Sequence, residues 1–282
     1  MEYRGKVVIV TGASSGIGYV TAKAFAKRGS TVVAVARREP LLQRLIAECT
    51  PHAPKSEYIV GDLGDRAVAE RVVDQTVATH GKLDVLINNA AISKHKHIYH
   101  TSAEEADFVM RVNFMSCVWT TFAAIPHMLR LGGGTIVNIS SFAAKVSPPR
   151  ESLYAASKAA MNSFTEGLWN DLKGSNIHVA LINPGPIDTE IWLKEDEPPA
   201  YHGKKFPPEL VTDAIFEAID KRRFEMTIPK RNPMLITARL LRLVAPGVLR
   251  LGMAKTEPVP YDVIEKARGR AQAGKKLGDV SE

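Results

Sequence analysis

Thr11-Gly12-Ala13-Ser14-Ser15-Gly16-Ile17-Gly18 follows directly on the apolar run Lys6-Val7-Val8-Ile9-Val10, and this junction decides the fold class. The run is short, β-branched and too apolar for a strand with one wet face, so it reads as a buried parallel strand. Glycines in the turn let backbone amides approach a ligand with no Cβ in the way. Ile17 to Arg28 then reads as a helix whose N-terminus turns free N–H groups and its positive dipole end to the same place. Strand, glycine turn and helix N-terminus together make a pyrophosphate cradle. A tight strand-to-helix turn also has a purely structural reading, so the rest of the chain must decide.

Outward from this junction, strand patterns near 6–10, 31–35, 57–60, 83–87, 134–139 and 177–182 alternate with helical ones. That alternation predicts a doubly wound parallel sheet with helices on both faces. Gly132-Gly133-Gly134 stops a long helix before the fifth strand. A helix over Pro208 to Arg222 and a strand over Phe224 to Ile228 complete a seven-stranded α/β domain over residues 1–230. The charged, proline-rich stretch 190–207 is too long for a simple connection and reads as a lid.

The 282 residues are 45% hydrophobic and 24% charged, an ordinary globular balance. Cys49 and Cys117 are too few and too scattered for a disulfide framework or a metal site, and read as small buried hydrophobes. The net charge of +7 is uneven: residues 221–282 hold 14 Lys and Arg against 6 Asp and Glu, leaving 23 against 24 in residues 1–220. No nucleic-acid reading motif or aromatic platform accompanies that charge, so no nucleic-acid partner is expected. No uninterrupted apolar stretch reaches about 18 residues, and the first strand begins too near Met1 for a leader. A cytoplasmic protein is expected.

Further motifs fall at the ends of the predicted strands. Asp62-Leu63 follows the third, Asn88-Asn89-Ala90 the fourth, Ser141 the fifth and Pro184-Gly185-Pro186-Ile187-Asp188-Thr189 the sixth; Asn113 lies within a long helix and Tyr154-Ala155-Ala156-Ser157-Lys158 on the next. In these motifs and their order, over roughly residues 5–190, the chain resembles the short-chain dehydrogenase/reductase family. Ala91 and Ala144 stand where that family usually has glycine. The resemblance implies a Rossmann-type fold, hydride transfer with a nicotinamide dinucleotide, and a homodimer or homotetramer.

The implied cofactor contacts are Gly12, Ser14, Ser15, Gly16, Ile17 and Gly18 at the turn, Asp62 and Leu63 at the adenine, and Asn89 and Ala90. Tyr154 and Lys158 sit at the nicotinamide ribose, with Pro184, Gly185, Ile187 and Thr189 at the carboxamide end. Ala36 occupies the place where NAD-type members carry a ribose-binding acid, and Arg37 and Arg38 follow at once. An arginine offers several donors and a permanent charge to a 2′-phosphate, so NADP(H) is expected.

Tyr154 and Lys158 are four apart and share one helix face. A tyrosine hydroxyl with a pKa near 10 is a poor relay at neutral pH; an adjacent ammonium and a cationic nicotinamide favour the phenolate. Tyr154 is then the proton donor or acceptor for a ketone and its secondary alcohol. By the resemblance, Ser141 hydrogen-bonds the substrate oxygen, Lys158 holds the ribose, and Asn113 positions a water linking Lys158 to solvent. Ser140 competes with Ser141, but the spacing to Tyr154 favours Ser141.

Residues 231–282 form a basic extension. Over 234–254, Ile236, Leu240, Leu243, Val244 and Leu251 share one broad helical face, with Arg239, Arg242 and Arg250 opposite and Pro246 dividing the helix. Such a segment lies on a membrane surface, covers the substrate pocket or meets a partner subunit. An apolar tail favours a lipid-, steroid- or acyl-like substrate. A dinucleotide-sensing or membrane-surface protein without turnover is the alternative function.

Overall fold

The computed structural model describes residues 2–193, 197, 201–254, 259–261 and 263–266. The remainder of the expected lid (194–196 and 198–200) and of the extension lies outside the described residues. Seven strands, β1 (Val7–Thr11), β2 (Thr31–Ala36), β3 (Glu57–Val60), β4 (Val85–Asn88), β5 (Gly134–Ile139), β6 (Ile177–Pro184) and β7 (Glu225–Ile228), form one sheet in the order β3-β2-β1-β4-β5-β6-β7. Every neighbouring pair is parallel. This is the expected doubly wound Rossmann-type sheet.

Side chains alternate across each strand, and the two sheet faces bury separate cores. Val8, Val10, Val32 and Ala34 point into one, with Phe25 of α1 (Gly16–Lys27), Leu42 and Leu45 of α2 (Glu39–Cys49) and Ile215 of α8 (Glu209–Asp220). Ile9, Val33 and Val35 point into the other, with Val72 of α3 (Arg66–His80), Met128 of α5 (Ser116–Arg130) and Leu168 of α7 (Ser152–Asp171). Cys49 and Cys117 are buried free thiols, and burial pushes them up to about 11 and about 12, which keeps both unreactive.

The chain leaves β1 toward β2 and leaves β4 toward β5, so a crevice opens where these two strands end. Thr11 closes its floor. Its hydroxyl donates to the Ile87 carbonyl at 3.1 Å and accepts from the amides of Asn89 and Ala90 at 2.9 and 3.0 Å.

The helix expected around Asn113 is not regular. α4 (Ala103–Met110) continues through a π turn over Arg111–Met115 into α5. The run Ala103–Arg130 is long and apolar enough to cross a membrane by length and composition, but half of that window is buried inside the protein.

Pro246 divides the extension into α9 (Pro233–Val244) and α10 (Pro246–Ala254). The face that docks is not the broad stripe read from the sequence. Leu235 and Leu249 pack on Phe142 and on Val146 of α6 (Ala143–Val146), with Ala238, Leu241 and Met253 beside them. Ile236, Leu240, Leu243, Val244 and Leu251 all face outward. The segment is apolar on two opposite sides, and periodicity marks a stripe without showing which side meets a neighbour.

Candidate functional site

Two cavities adjoin at the carboxyl edge of the sheet, and Tyr154 lines both. The first, about 460 Å³, runs from Gly12 and Ser14 to Ile17, past Ala36 to Arg38 and Asp62-Leu63, over Asn89 and Ala90, to Lys158.

Its turn end fits a dinucleotide's pyrophosphate. Ser15 occupies the N-cap of α1 but makes no side-chain cap hydrogen bond, and the first turn carries no acid. The first N–H groups and the dipole are therefore left for an anion. Gly12 has φ +66°, and a Cβ there would lie 2.8 Å from the Ala90 Cα. Gly18 does not line the cavity; a Cβ there would lie 2.5 Å from the Gly12 carbonyl oxygen. It is the glycine that lets α1 pack on the turn.

At the end of β2, Ala36 presents no carboxylate, as the sequence indicates. Arg37 is half-exposed, 3.7 Å from Asp62. Arg38 folds back over the turn, donating to the Ser14 and Ser15 hydroxyls at 3.1 and 2.9 Å and pairing with Glu190 at 2.8 Å.

α7 carries the chemistry at the cavity junction. Lys158 is 1% exposed and its Nζ donates to the Ile139 carbonyl at 2.9 Å; burial pushes it down to about 8. Tyr154 is shifted the other way. Burial raises its hydroxyl well above the usual phenol range, a Ser141 hydrogen bond opposes this, and Glu151 adds to it. The sequence expectation of a lowered Tyr154 is not met in the chain alone, because burial dominates and the Lys158 Nζ stands 6.0 Å from the ring centroid.

Ser140 and Ser141 separate clearly. The buried Ser140 hydroxyl donates to the Lys158 carbonyl at 3.1 Å, a structural tie between β5 and α7. Ser141 accepts from the Ala143 amide at 3.1 Å and lines the second cavity. Asn113, fully buried on the π turn, lines neither cavity. Its amide donates to the Ile92 carbonyl and the Ser157 hydroxyl at 3.0 and 3.1 Å and accepts from the Ile92 amide at 2.8 Å. It braces the loop after β4 against α7, and the side chain is committed to protein partners.

The second cavity, about 520 Å³, is walled largely by apolar groups such as Phe142, Val146, Pro186, Ile191 and Trp192. Pro184, Gly185 and Ile187 line this cavity rather than the first, and Thr189 lines both. Met234, Leu235 and Ala238 of α9 and Met253 of α10 complete the wall, so the extension covers the pocket.

One polar pair in this wall escaped the sequence reading. His95 Nε2 lies 2.8 Å from Glu151 Oε1, both buried, and the imidazole stacks on Trp192 at 5.4 Å and 25°. The pair is 56 residues apart in the chain, and no local spacing signals it.

The comparisons agree with this architecture. A family model described as short chain dehydrogenase matches residues 6–199. The 11-beta-hydroxysteroid dehydrogenase 1A of Arabidopsis thaliana is 40% identical over 192 residues, covering 66% of this chain and 54% of the relative. The chain spans 66% and 64% of two other curated relatives it matches. A Burkholderia phymatum short chain dehydrogenase/reductase in complex with NAD superposes with TM-score 0.79 at 27% identity, over 92% of this chain and 99% of that one. A Sphingobium yanoikuyae short-chain dehydrogenase in complex with NADPH gives 0.75 at 27% identity, over 90% and 96%. With the glycine turn, the Ser141, Tyr154 and Lys158 cluster and the strand order all in place, the chain belongs to the short-chain dehydrogenase/reductase family of oxidoreductases.

Proposed function

We propose that this protein is an NADP(H)-dependent oxidoreductase interconverting a ketone and a secondary alcohol on an apolar, lipid-, steroid- or acyl-like substrate. The observation that carries the reading is Tyr154 at the meeting point of a cavity lined by the glycine turn and a largely apolar one. The bound nicotinamide supplies or accepts hydride. Tyr154 gives its proton to the carbonyl oxygen in reduction or takes it back in oxidation, and Ser141 hydrogen-bonds that oxygen. Lys158 places a positive group at the inner end of the first cavity, and the extension adds apolar wall to the second.

The missing carboxylate at Ala36 and the Arg37 and Arg38 pair support NADP(H), while the named neighbours hold either NAD or NADPH. The 11-beta-hydroxysteroid relative supports an apolar substrate. The test is NADPH and NADH oxidation over a panel of aliphatic, steroid and β-ketoacyl ketones. NADPH-linked turnover is expected; tight dinucleotide binding with no turnover across the panel would favour the sensing alternative.

The exposed stripe on α9 and α10 favours a second reading, contact with an anionic membrane surface. Phe122 on α5 and Trp169 on α7 are also exposed and support a homo-oligomer.

A further inference from the structure

His97, His100 and Glu197 meet beside the second cavity without lining it. His97 is the N-cap and His100 the last residue of a 3₁₀ turn over Ile98–His100. Side chains three apart eclipse in such a turn, so both imidazoles leave on the same side. The turn is held by the His100 amide and the Thr101 hydroxyl, which donate to the His97 carbonyl at 2.9 and 3.0 Å. Tyr99 lies against both imidazoles, with ring centroids at 4.9 and 4.6 Å.

Glu197 reaches the open side of this turn from a distant part of the chain. Its Oε2 is 2.5 Å from His97 Nδ1 and its Oε1 is 2.8 Å from His100 Nδ1. The His97 amide also donates to Oε2, at 3.3 Å. One ligand atom from each of the three residues falls within 4.8 Å of the others. His97 and Glu197 are about four-fifths shielded and His100 is half exposed, which gives an ion a way in.

Two imidazoles and one carboxylate are a ligand set of borderline softness that suits zinc and its late first-row neighbours, with a fourth position left for water. Calcium and magnesium prefer sets made of oxygen. Tetrahedral ligands at ordinary zinc distances stand about 3.4 Å apart. The carboxylate contacts of 2.5 and 2.8 Å must therefore open by less than about 1 Å, and ligand atoms now up to 4.8 Å apart must close by up to about 1.4 Å.

We infer that His97, His100 and Glu197 form a binding site for a zinc-class divalent cation, distinct from the hydride-transfer site. The ion joins Glu197 to the turn that follows His95. His95 lines the substrate cavity, as do Trp192 and Tyr201 to either side of Glu197 in the chain, so the bound ion ties together segments that surround the cavity.

Equilibrium dialysis of the full chain against Zn²⁺ tests this without using turnover, so its outcome stands apart from the reductase reading. One equivalent is expected at micromolar affinity or better, unaffected by millimolar Mg²⁺ or Ca²⁺. His100→Gln and Glu197→Gln should each weaken binding at least about tenfold, with circular dichroism unchanged. Co²⁺ in place of Zn²⁺ should give visible absorption bands that both variants lose. No zinc uptake by the natural chain, or uptake that neither substitution weakens, overturns the assignment.

Discussion

Lys158 Nζ donates to the main-chain carbonyl of Ile139 at 2.9 Å, so the buried ammonium at the inner end of the first cavity is held by a carbonyl rather than a carboxylate. A lone buried cation costs stability. Burial lowers Lys158 from its ordinary 10.5 to about 8. Between those values the unfolded chain holds the proton and the folded chain does not, so stability rises as pH climbs through that window. Below pH 8 the cost is fully present, on the order of 3 kcal/mol. Lys158→Met should therefore raise stability at pH 7 by about 1–2 kcal/mol, after the Ile139 carbonyl loses its partner. The gain should fade near pH 10, while turnover is lost. Urea midpoints at the two pH values measure it, and a less stable variant at pH 7 contradicts it.

Tyr154→Phe keeps the ring and removes the proton. Turnover should fall by about 10²–10⁴ or more, while NADPH affinity, read by fluorescence, stays within a few-fold. Near-normal kinetics in this variant would remove Tyr154 from the chemistry.

Arg37 and Arg38 should behave differently. Arg37 has a long, half-exposed ion pair with Asp62 at 3.7 Å and is available to a 2′-phosphate. Arg37→Ala should weaken NADPH roughly tenfold or more and leave NADH nearly unchanged, since charge-assisted contacts contribute about 1.5–3 kcal/mol. Arg38 organises Ser14 and Ser15, so Arg38→Ala should weaken both cofactors. Titration of both variants with both dinucleotides separates the roles; equal losses at Arg37 would exclude it as the phosphate reader.

The sheet was legible because its central strands are apolar, largely β-branched runs that end in a turn or polar motif, a pattern that buried parallel strands need. The candidate site was less legible. Gly12 and Gly18 look alike in sequence, yet one faces the cavity and the other admits a carbonyl from behind. The π turn at Asn113 leaves no compositional mark, since one extra residue in a helix turn changes hydrogen bonding rather than residue type. His95 and Glu151 meet only through the fold. Spacing to Tyr154 favours Ser141 over Ser140 in the sequence, and in the structure the Ser140 hydroxyl is engaged by the Lys158 carbonyl.

The outward stripe of α9 and α10 yields the last prediction. Leu240, Leu243 and Leu251 are 55%, 72% and 65% exposed, opposite the side that packs on Phe142 and Val146. Arg239, Arg242 and Arg250 are exposed as well. Each arginine near an anionic surface contributes about 1 kcal/mol, and salt weakens it. Binding is thus expected to be reversible and reinforced by leucine insertion. Replacing the three arginines with glutamine should abolish co-sedimentation with phosphatidylserine vesicles at low salt and leave NADPH binding intact. Leu240→Ser with Leu243→Ser should weaken sedimentation without disturbing the pocket wall, because Leu235 and Ala238 lie on the other side of the helix. If the natural chain stays in the supernatant at low salt, the membrane reading ends. A shift in molecular size on the same leucine substitutions would then assign the stripe to a subunit contact.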